Sequence, residues 1–244
     1  MKLKNSVCLI TGSDVRVGRT IAINLSNKGA LVAIHYNSQK SKAEETAKII
    51  RSTGNECIII KGDISQKKDW LQIRDTIIKK WKKIDVLVNN AGIFYRTPFF
   101  DVSESDWYNF LDINLKGTFY GCQIIGEFMV KQHSGKIINI ADVSAETVWP
   151  NYIPYCISKA GIISLTKGLS KALAPYVTVN AVSPGTVMLA EKYDPEEENY
   201  LIERTPLKRL GDPQDIANTV AFLIEGSDFI TGTVINVDGG RSLT

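Results

Sequence analysis

Tyr155 and Lys159 stand four residues apart, so on a helix they share one face and their polar heads converge on one point. A phenol with a pKa of about 10 exchanges protons poorly at neutral pH, and an ammonium group one turn away is expected to lower that value. Such a pair can pass a proton to or from a carbonyl or imine while a hydride moves. The spacing alone also describes an ordinary helix surface, so its meaning depends on the rest of the chain.

A second constellation follows an early apolar run: Thr11-Gly12-Ser13-Asp14-Val15-Arg16-Val17-Gly18-Arg19. Gly12 can turn the chain sharply, and Gly18 lets the next helix approach closely. The free N–H groups and positive dipole end of that helix then face a pyrophosphate. The stricter G-x-G-x-x-G fingerprint is absent. Sites selective for NAD place a carboxylate near the end of the second strand, where it holds a ribose 2′-hydroxyl. Here the stretch reads His35-Tyr36-Asn37-Ser38, with no carboxylate to repel a 2′-phosphate, and Arg16, Ser38 and Lys40 are candidate donors to one. NADP(H) is therefore the expected cofactor. His35 reads as a packed or hydrogen-bonding residue, since the only other histidine, His133, is remote and two such residues cannot complete a metal site.

The elements that must position these groups alternate along the whole chain. Strands are expected at Val7 to Thr11, Leu31 to His35, Cys57 to Lys61, Val86 to Val88, Lys136 to Ile140, Val177 to Ala181 and Val234 to Val237. Helices are expected near Arg16 to Lys28, Lys40 to Ser52, Gln66 to Trp81, Glu104 to Lys131, Ile153 to Ala174 and Pro213 to Ile224. Continuous apolar strands between amphipathic helices describe an α/β fold: a Rossmann-type, doubly wound parallel sheet of about seven strands, helices on both faces. No repeat or linker divides residues 1–244, so one domain is expected. The segment from Thr186 to Gly211, rich in Glu and broken by Pro195 and Pro206, has weak helical period and reads as a mobile substrate lid.

Composition narrows the setting. The chain has 244 residues, 44% hydrophobic and 23% charged, with a formal charge of +3. That is globular, and too evenly charged to suggest nucleic-acid binding. The densest basic run, Lys79 to Lys83 around Trp81, reads as a solvated helix end. Cys8, Cys57, Cys122 and Cys156 are scattered among apolar neighbours without a C-x-x-C pair, as expected of core residues in a reducing compartment. No apolar run is long enough to span a bilayer and no leader pattern precedes the first strand, so a cytoplasmic protein without membrane partners is expected.

Together these motifs resemble the short-chain dehydrogenase/reductase family across essentially the whole chain. Thr11, Gly12 and Gly18 match its glycine-rich turn and Asn89-Asn90-Ala91-Gly92 the segment after its fourth strand. Asn114, Tyr155 and Lys159 match its catalytic set, and Pro184-Gly185 and Asn236-Val237-Asp238-Gly239-Gly240 also fit. The resemblance implies that Asp63 contacts adenine, that Asn90 and Ala91 line the cofactor, that Lys159 also holds the nicotinamide ribose and that Asn114 holds a water in a proton relay. It extends the expected cofactor site to Gly12, Arg16, Val17, Gly18, His35, Tyr36, Asn37, Ser38, Asp63, Ile64, Gly92, Pro184 and Gly185, and implies a homotetramer.

Departures from the family pattern refine the expectation. The usual substrate-binding serine lies thirteen residues before the tyrosine, where this chain has Asp142; an ionised carboxylate accepts hydrogen bonds but cannot donate them. Ser144, two residues on, lies about 6 to 7 Å farther along an extended chain and does not replace it. Arg16 stands where many relatives have glycine. Arg16 and Asp142, with Phe94 as an aromatic to stack on a flat ring, resemble the pteridine reductase branch. Gly92 and the absence of arginine at the second-strand turn depart from that branch. The expected reaction is NADPH-dependent reduction of a C=N or C=O bond, with a dihydropterin as substrate and Arg16, Phe94, Asp142 and Tyr155 around it. The alternative is a 3-oxoacyl-(acyl-carrier-protein) reductase, for which Lys192, Arg204, Lys208 and Arg209 could form a docking patch. A non-catalytic NADP(H) sensor is a third reading, which the retained Asn114, Tyr155 and Lys159 disfavour.

Overall fold

Seven parallel strands form one sheet in the computed structural model, which describes residues 1–187 and 194–244. They are β1 (Val7–Ile10), β2 (Leu31–Tyr36), β3 (Cys57–Lys61), β4 (Val86–Asn89), β5 (Gly135–Ile140), β6 (Val177–Pro184) and β7 (Val234–Val237), in the order β3-β2-β1-β4-β5-β6-β7. The order reverses between β1 and β4, the switch point at which such sheets open a ligand crevice beyond the carboxyl ends of their strands.

Alternation along the strands sorts the core into two layers. Cys8 and Ile10 face one layer, into which α1 (Arg16–Asn27), α2 (Lys40–Ser52) and α9 (Pro213–Glu225) bury Ile21, Leu25, Ile50 and Val220. Val7 and Leu9 face the other, where α3 (Lys67–Trp81) and α5 (Gly117–Lys131) bring Trp70, Ile73, Ile125 and Met129. Both faces are thereby dry, which is why the strands read as continuous apolar runs. The four cysteines are buried and unpaired, and no helix among the described residues is long and apolar enough to cross a membrane.

Three expected boundaries are corrected. The single helix expected over 104–131 is divided into α4 (Glu104–Phe110), a π-helical stretch Leu111–Lys116, and α5. The start of α4 was legible, because Ser103 and Asp106 form a reciprocal capping box. The wide turn behind it holds Asn114 in a tertiary bond network that apolar periodicity does not encode. Strand β6 runs on to Pro184, paired in register with Val237 of β7. Within the expected lid, α8 (Pro195–Glu203) is helical and capped by Asp194, whereas Lys192 and its neighbours at 188–193 lie outside the described residues. Two shorter pieces follow β5: α6 (Ser144–Thr147) and a 3-10 turn at Pro150–Tyr152 that leads into α7 (Ile153–Ala172).

Candidate active site

The crevice at the switch point is built on the turn after β1. Gly12 has a φ of +60°, and a Cβ there would lie 3.0 Å from the Ala91 Cα. Gly18 in α1 is tighter still, since a Cβ would sit 2.1 Å from the Gly12 carbonyl oxygen and 2.5 Å from Asn90 Nδ2. Side chains pin the turn from both sides. Asn90 Nδ2 donates to the Thr11 and Gly12 carbonyls at 2.9 and 3.1 Å, and the amides of Asn90 and Ala91 both donate to Thr11 Oγ1 at 2.9 Å. His35 Nδ1 accepts the Gly12 amide at 3.2 Å, while Nε2 lies 3.1 Å from the Gly62 carbonyl. The ring is therefore the neutral Nε2–H tautomer, and burial holds its pKa down to about 4.

Gly12, Arg16, Val17, Gly18, His35, Asn37, Ser38, Asp63, Ile64, Asn90, Ala91 and Gly92 all line this one crevice, joined by Asp14, Val15, Ile93 and Ile113. Helix α1 starts without a side-chain cap and with no acidic residue in its first turn, so its leading N–H groups suit a diphosphate. Arg16, at the first position of α1, has a φ of +51°, the left-handed region where glycine costs nothing and other residues about 1–2 kcal/mol. The structure thus explains why that position admits glycine. The end of β2 presents Asn37 and Ser38 with no carboxylate. These features fit a phosphorylated dinucleotide.

The expected members differ in where the structure places them. Tyr36, on the opposite pleat from His35, is buried in the apolar core because side chains alternate along a strand. Pro184 and Gly185 do not line this crevice. They end β6 against β7, where Val143 donates to the Pro184 carbonyl at 3.1 Å and a Cβ on Gly185 would meet the Asp238 Cα at 2.8 Å. His35 lines the crevice, yet both its nitrogens are engaged and it is almost wholly buried, so it supports the turn.

Beyond the crevice, α7 places Tyr155 and Lys159 on one buried face. Lys159 Nζ donates to the Ile140 carbonyl at 2.9 Å and lies 5.7 Å from the Tyr155 ring centroid. Burial lowers its pKa to about 8, a shift opposed by the charge of Asp142. Tyr155 Oη donates to Asp142 Oδ2 at 2.8 Å, and Asp142 Oδ1 accepts the Ser144 amide at 2.8 Å. The expectation that Lys159 lowers the phenol pKa is thereby corrected. Burial first, and then the adjacent carboxylate, push Tyr155 well above its ordinary value. Burial also raises Asp142. Ser144 is fully buried and serves Asp142 through its amide.

Asn114 is satisfied entirely by protein. Its Oδ1 accepts the Ile93 amide at 2.8 Å, and its Nδ2 donates to the Ile93 carbonyl and to Ser158 Oγ, each at 3.1 Å. Ser158 in turn donates to the Tyr155 carbonyl at 2.6 Å, so Asn114 ties the segment after β4 to the helix that carries Tyr155. Phe94, 55% exposed, stacks on Tyr152 at 4.8 Å with the rings 2° from parallel, and meets Tyr155 edge-on at 4.8 Å. Trp149 closes the cluster edge-on to Tyr152 at 5.9 Å. Trp149, Tyr152 and Ser158 were missed in the sequence. The three-residue steps from Trp149 through Tyr152 to Tyr155 were the available signal.

The site brings a phenol, a carboxylate that accepts from it and an amine whose pKa burial lowers to about 8 beside the crevice walled by the glycine-rich turn. The family described as Enoyl-(Acyl carrier protein) reductase matches over residues 14–242. A 3-oxoacyl-(acyl-carrier-protein) reductase FabG of Staphylococcus epidermidis is 36% identical over 240 residues, covering 97% of this chain and 98% of its own. A 3-oxoacyl-(acyl-carrier-protein) reductase of Synechocystis is 35% identical over 243 residues, covering 98% and 97%. A crystal structure named "putative gluconate dehydrogenase" from Agrobacterium tumefaciens superposes with a TM-score of 0.94 at 30% identity, covering 100% of this chain and 98% of its own. These relatives bear out the expected family. They lend no support to the pteridine reductase branch and agree better with the alternative of a 3-oxoacyl reductase.

Proposed function

This chain belongs to the short-chain dehydrogenase/reductase family, and from that premise we propose that it is an NADP(H)-dependent reductase of a small 3-oxoacyl thioester or related carbonyl compound. The observation that carries the reading is the convergence of Tyr155 and Lys159 beside a crevice that fits a phosphorylated dinucleotide. The 3-oxoacyl reductases among the relatives support the substrate class.

The bound cofactor would supply hydride to the carbonyl carbon. The turn at Gly12 and the start of α1 would hold its diphosphate, with Arg16 and Ser38 near the 2′-phosphate. Tyr155 supplies the proton to the carbonyl oxygen, leaving its bond to Asp142 as it does so. Lys159 carries positive charge below about pH 8 and offsets the developing phenolate. Asp142 holds the phenol between turnovers, and Asn114 keeps the Ile93 backbone and Ser158 fixed around it. Family membership also supports a cytoplasmic homotetramer, a reading that gel filtration of the purified protein tests.

A second reading rests on one specific observation. Asp142 accepts from Tyr155 where a hydroxyl would be needed to grip a carbonyl, and Phe94 offers a stacking face beside it. A dihydropterin, whose ring nitrogens exchange protons readily, suits that pair. Oxidation of NADPH by the purified protein is the test, followed with an acetoacetyl thioester and with dihydrobiopterin. Turnover of the thioester alone establishes the first reading, turnover of the pterin alone the second, and cofactor binding without turnover of either overturns both.

A further inference from the structure

At the C-terminal edge of the sheet lies a pair of arginines that have no acidic partner among the described residues. Arg241 opens the 3-10 turn Arg241–Leu243 that follows β7, and Arg204 ends α8. Their backbones are drawn together by one hydroxyl, since Thr244 Oγ1 lies 3.0 Å from the Arg204 carbonyl and 3.1 Å from that of Arg241. The surrounding charges are already committed. Lys208 pairs with Glu203 at 3.1 Å and Arg209 with Asp215 at 3.1 Å. The Asp238 carboxylate accepts the amides of Gly240 and Ser242. Arg204 Nη1 donates to Tyr200 Oη at 2.6 Å and its guanidinium lies over the same ring, so a neutral phenol is its contact. Among the described residues the Arg241 side chain has neither a hydrogen bond nor an ion pair. Partial burial, then the neighbouring Arg204 charge, lower its pKa. Two like charges on backbone segments joined through Thr244, with no counterion among the described residues, make a site that an anion relieves.

The pair lies at the carboxyl end of the sheet, the end that carries Asp142. The turn at Arg241–Leu243 packs against α6, which begins two residues after Asp142. Strands β5, β6 and β7 are successive neighbours, and their carboxyl ends carry Asp142, Gly185 and Asp238 on one rim, where ligands of such sheets bind. Two strand spacings separate β5 from β7, or about 10 Å.

We propose that Arg204 and Arg241 form an anion subsite at the edge of the substrate pocket, receiving a carboxylate or phosphate that the substrate carries roughly 10 Å or more from its reducible carbon. The substrate is accordingly an anion with its charge on an arm. This rests on the reductase reading for its connection to turnover, but the subsite itself is testable without it.

The experiment compares wild type with Arg241→Gln, Arg204→Gln, the double variant and Arg241→Lys. Matched substrates separate the two sources of charge: acetoacetyl-coenzyme A against the acetoacetyl thioester of N-acetylcysteamine for phosphate, and dihydrofolate against dihydrobiopterin for carboxylate. The expected result is a KM at least tenfold higher in Arg241→Gln for the charged member of whichever pair is reduced. Its kcat should stay within about twofold, the neutral member's KM should be unchanged, and Arg241→Lys should restore part of the loss. Equal effects on both members, or none, overturn the subsite. Independently of turnover, inorganic phosphate and citrate are titrated against each protein by thermal shift. Saturable stabilisation of wild type that the double variant loses supports the subsite even if no substrate is reduced, in which case only the reductase reading fails. Identical titrations in wild type and double variant overturn it.

Discussion

Tyr155 Oη donates to Asp142 Oδ2 at 2.8 Å, so the phenol that would serve a substrate is held instead by a carboxylate from the end of β5. Burial is the larger influence on both groups, and the same carboxylate adds to the rise of Tyr155 and opposes the fall of Lys159.

Reduction requires Tyr155 protonated and is helped by a charged Lys159, so kcat/KM is expected to fall as pH rises past about 8. Asp142→Asn removes a negative charge that favours the protonated form of both groups, and the alkaline limb should move to lower pH by about one unit. A pH–rate profile of both proteins with the same substrate checks this. An unmoved limb, or one displaced to higher pH, contradicts the assignment.

Tyr155→Phe removes the proton donor while leaving the crevice untouched. Turnover should fall by roughly 10²–10⁴, with NADPH affinity within about threefold of wild type by fluorescence titration. Wild-type turnover in this variant rules out the mechanism.

Ser38 lines the crevice at the end of β2, where the sheet offers no carboxylate. Ser38→Asp places a negative charge beside the 2′-phosphate and should lower the preference for NADPH over NADH roughly five- to thirtyfold, from about one to two kcal/mol of like-charge repulsion. The ratio of kcat/KM for the two cofactors reports it directly.

His35 is neutral in the folded protein, with a pKa of about 4 against an ordinary 6.5. Between these values the unfolded chain binds a proton that the folded chain refuses, so stability rises with pH through that window. The contribution is complete above about pH 6.5 and is lost as pH falls toward 4, by on the order of 3 kcal/mol. Urea unfolding of wild type should therefore weaken between about pH 6.5 and 4, and His35→Gln should flatten the profile. The variant should also bind NADPH more weakly, because the Gly12 amide loses its acceptor.

Much of this protein was determined by its sequence. Alternating apolar runs and amphipathic stretches placed seven strands and the principal helices, because a sheet covered on both faces needs unbroken apolar strands. Gly12 and Gly18 were legible for a local reason, the sharp turn and the close approach that only glycine allows there, whereas Asn90, Tyr155 and Lys159 gained meaning from the resemblance of the whole chain to one family. Only the tertiary structure decided what depends on groups far apart in the chain. It turned Tyr36 into the core while leaving His35 to pin the Gly12 turn, and it engaged Asn114 with Ile93 and Ser158 in a π-helical stretch. It also raised the Tyr155 pKa that an i, i+4 lysine alone would lower, and left Arg241 near Arg204 without a counterion among the described residues. Spacing along a helix records which residues share a face; burial and the approach of a charge from another strand are set by packing, and they fix which proton moves and which charge remains to be met.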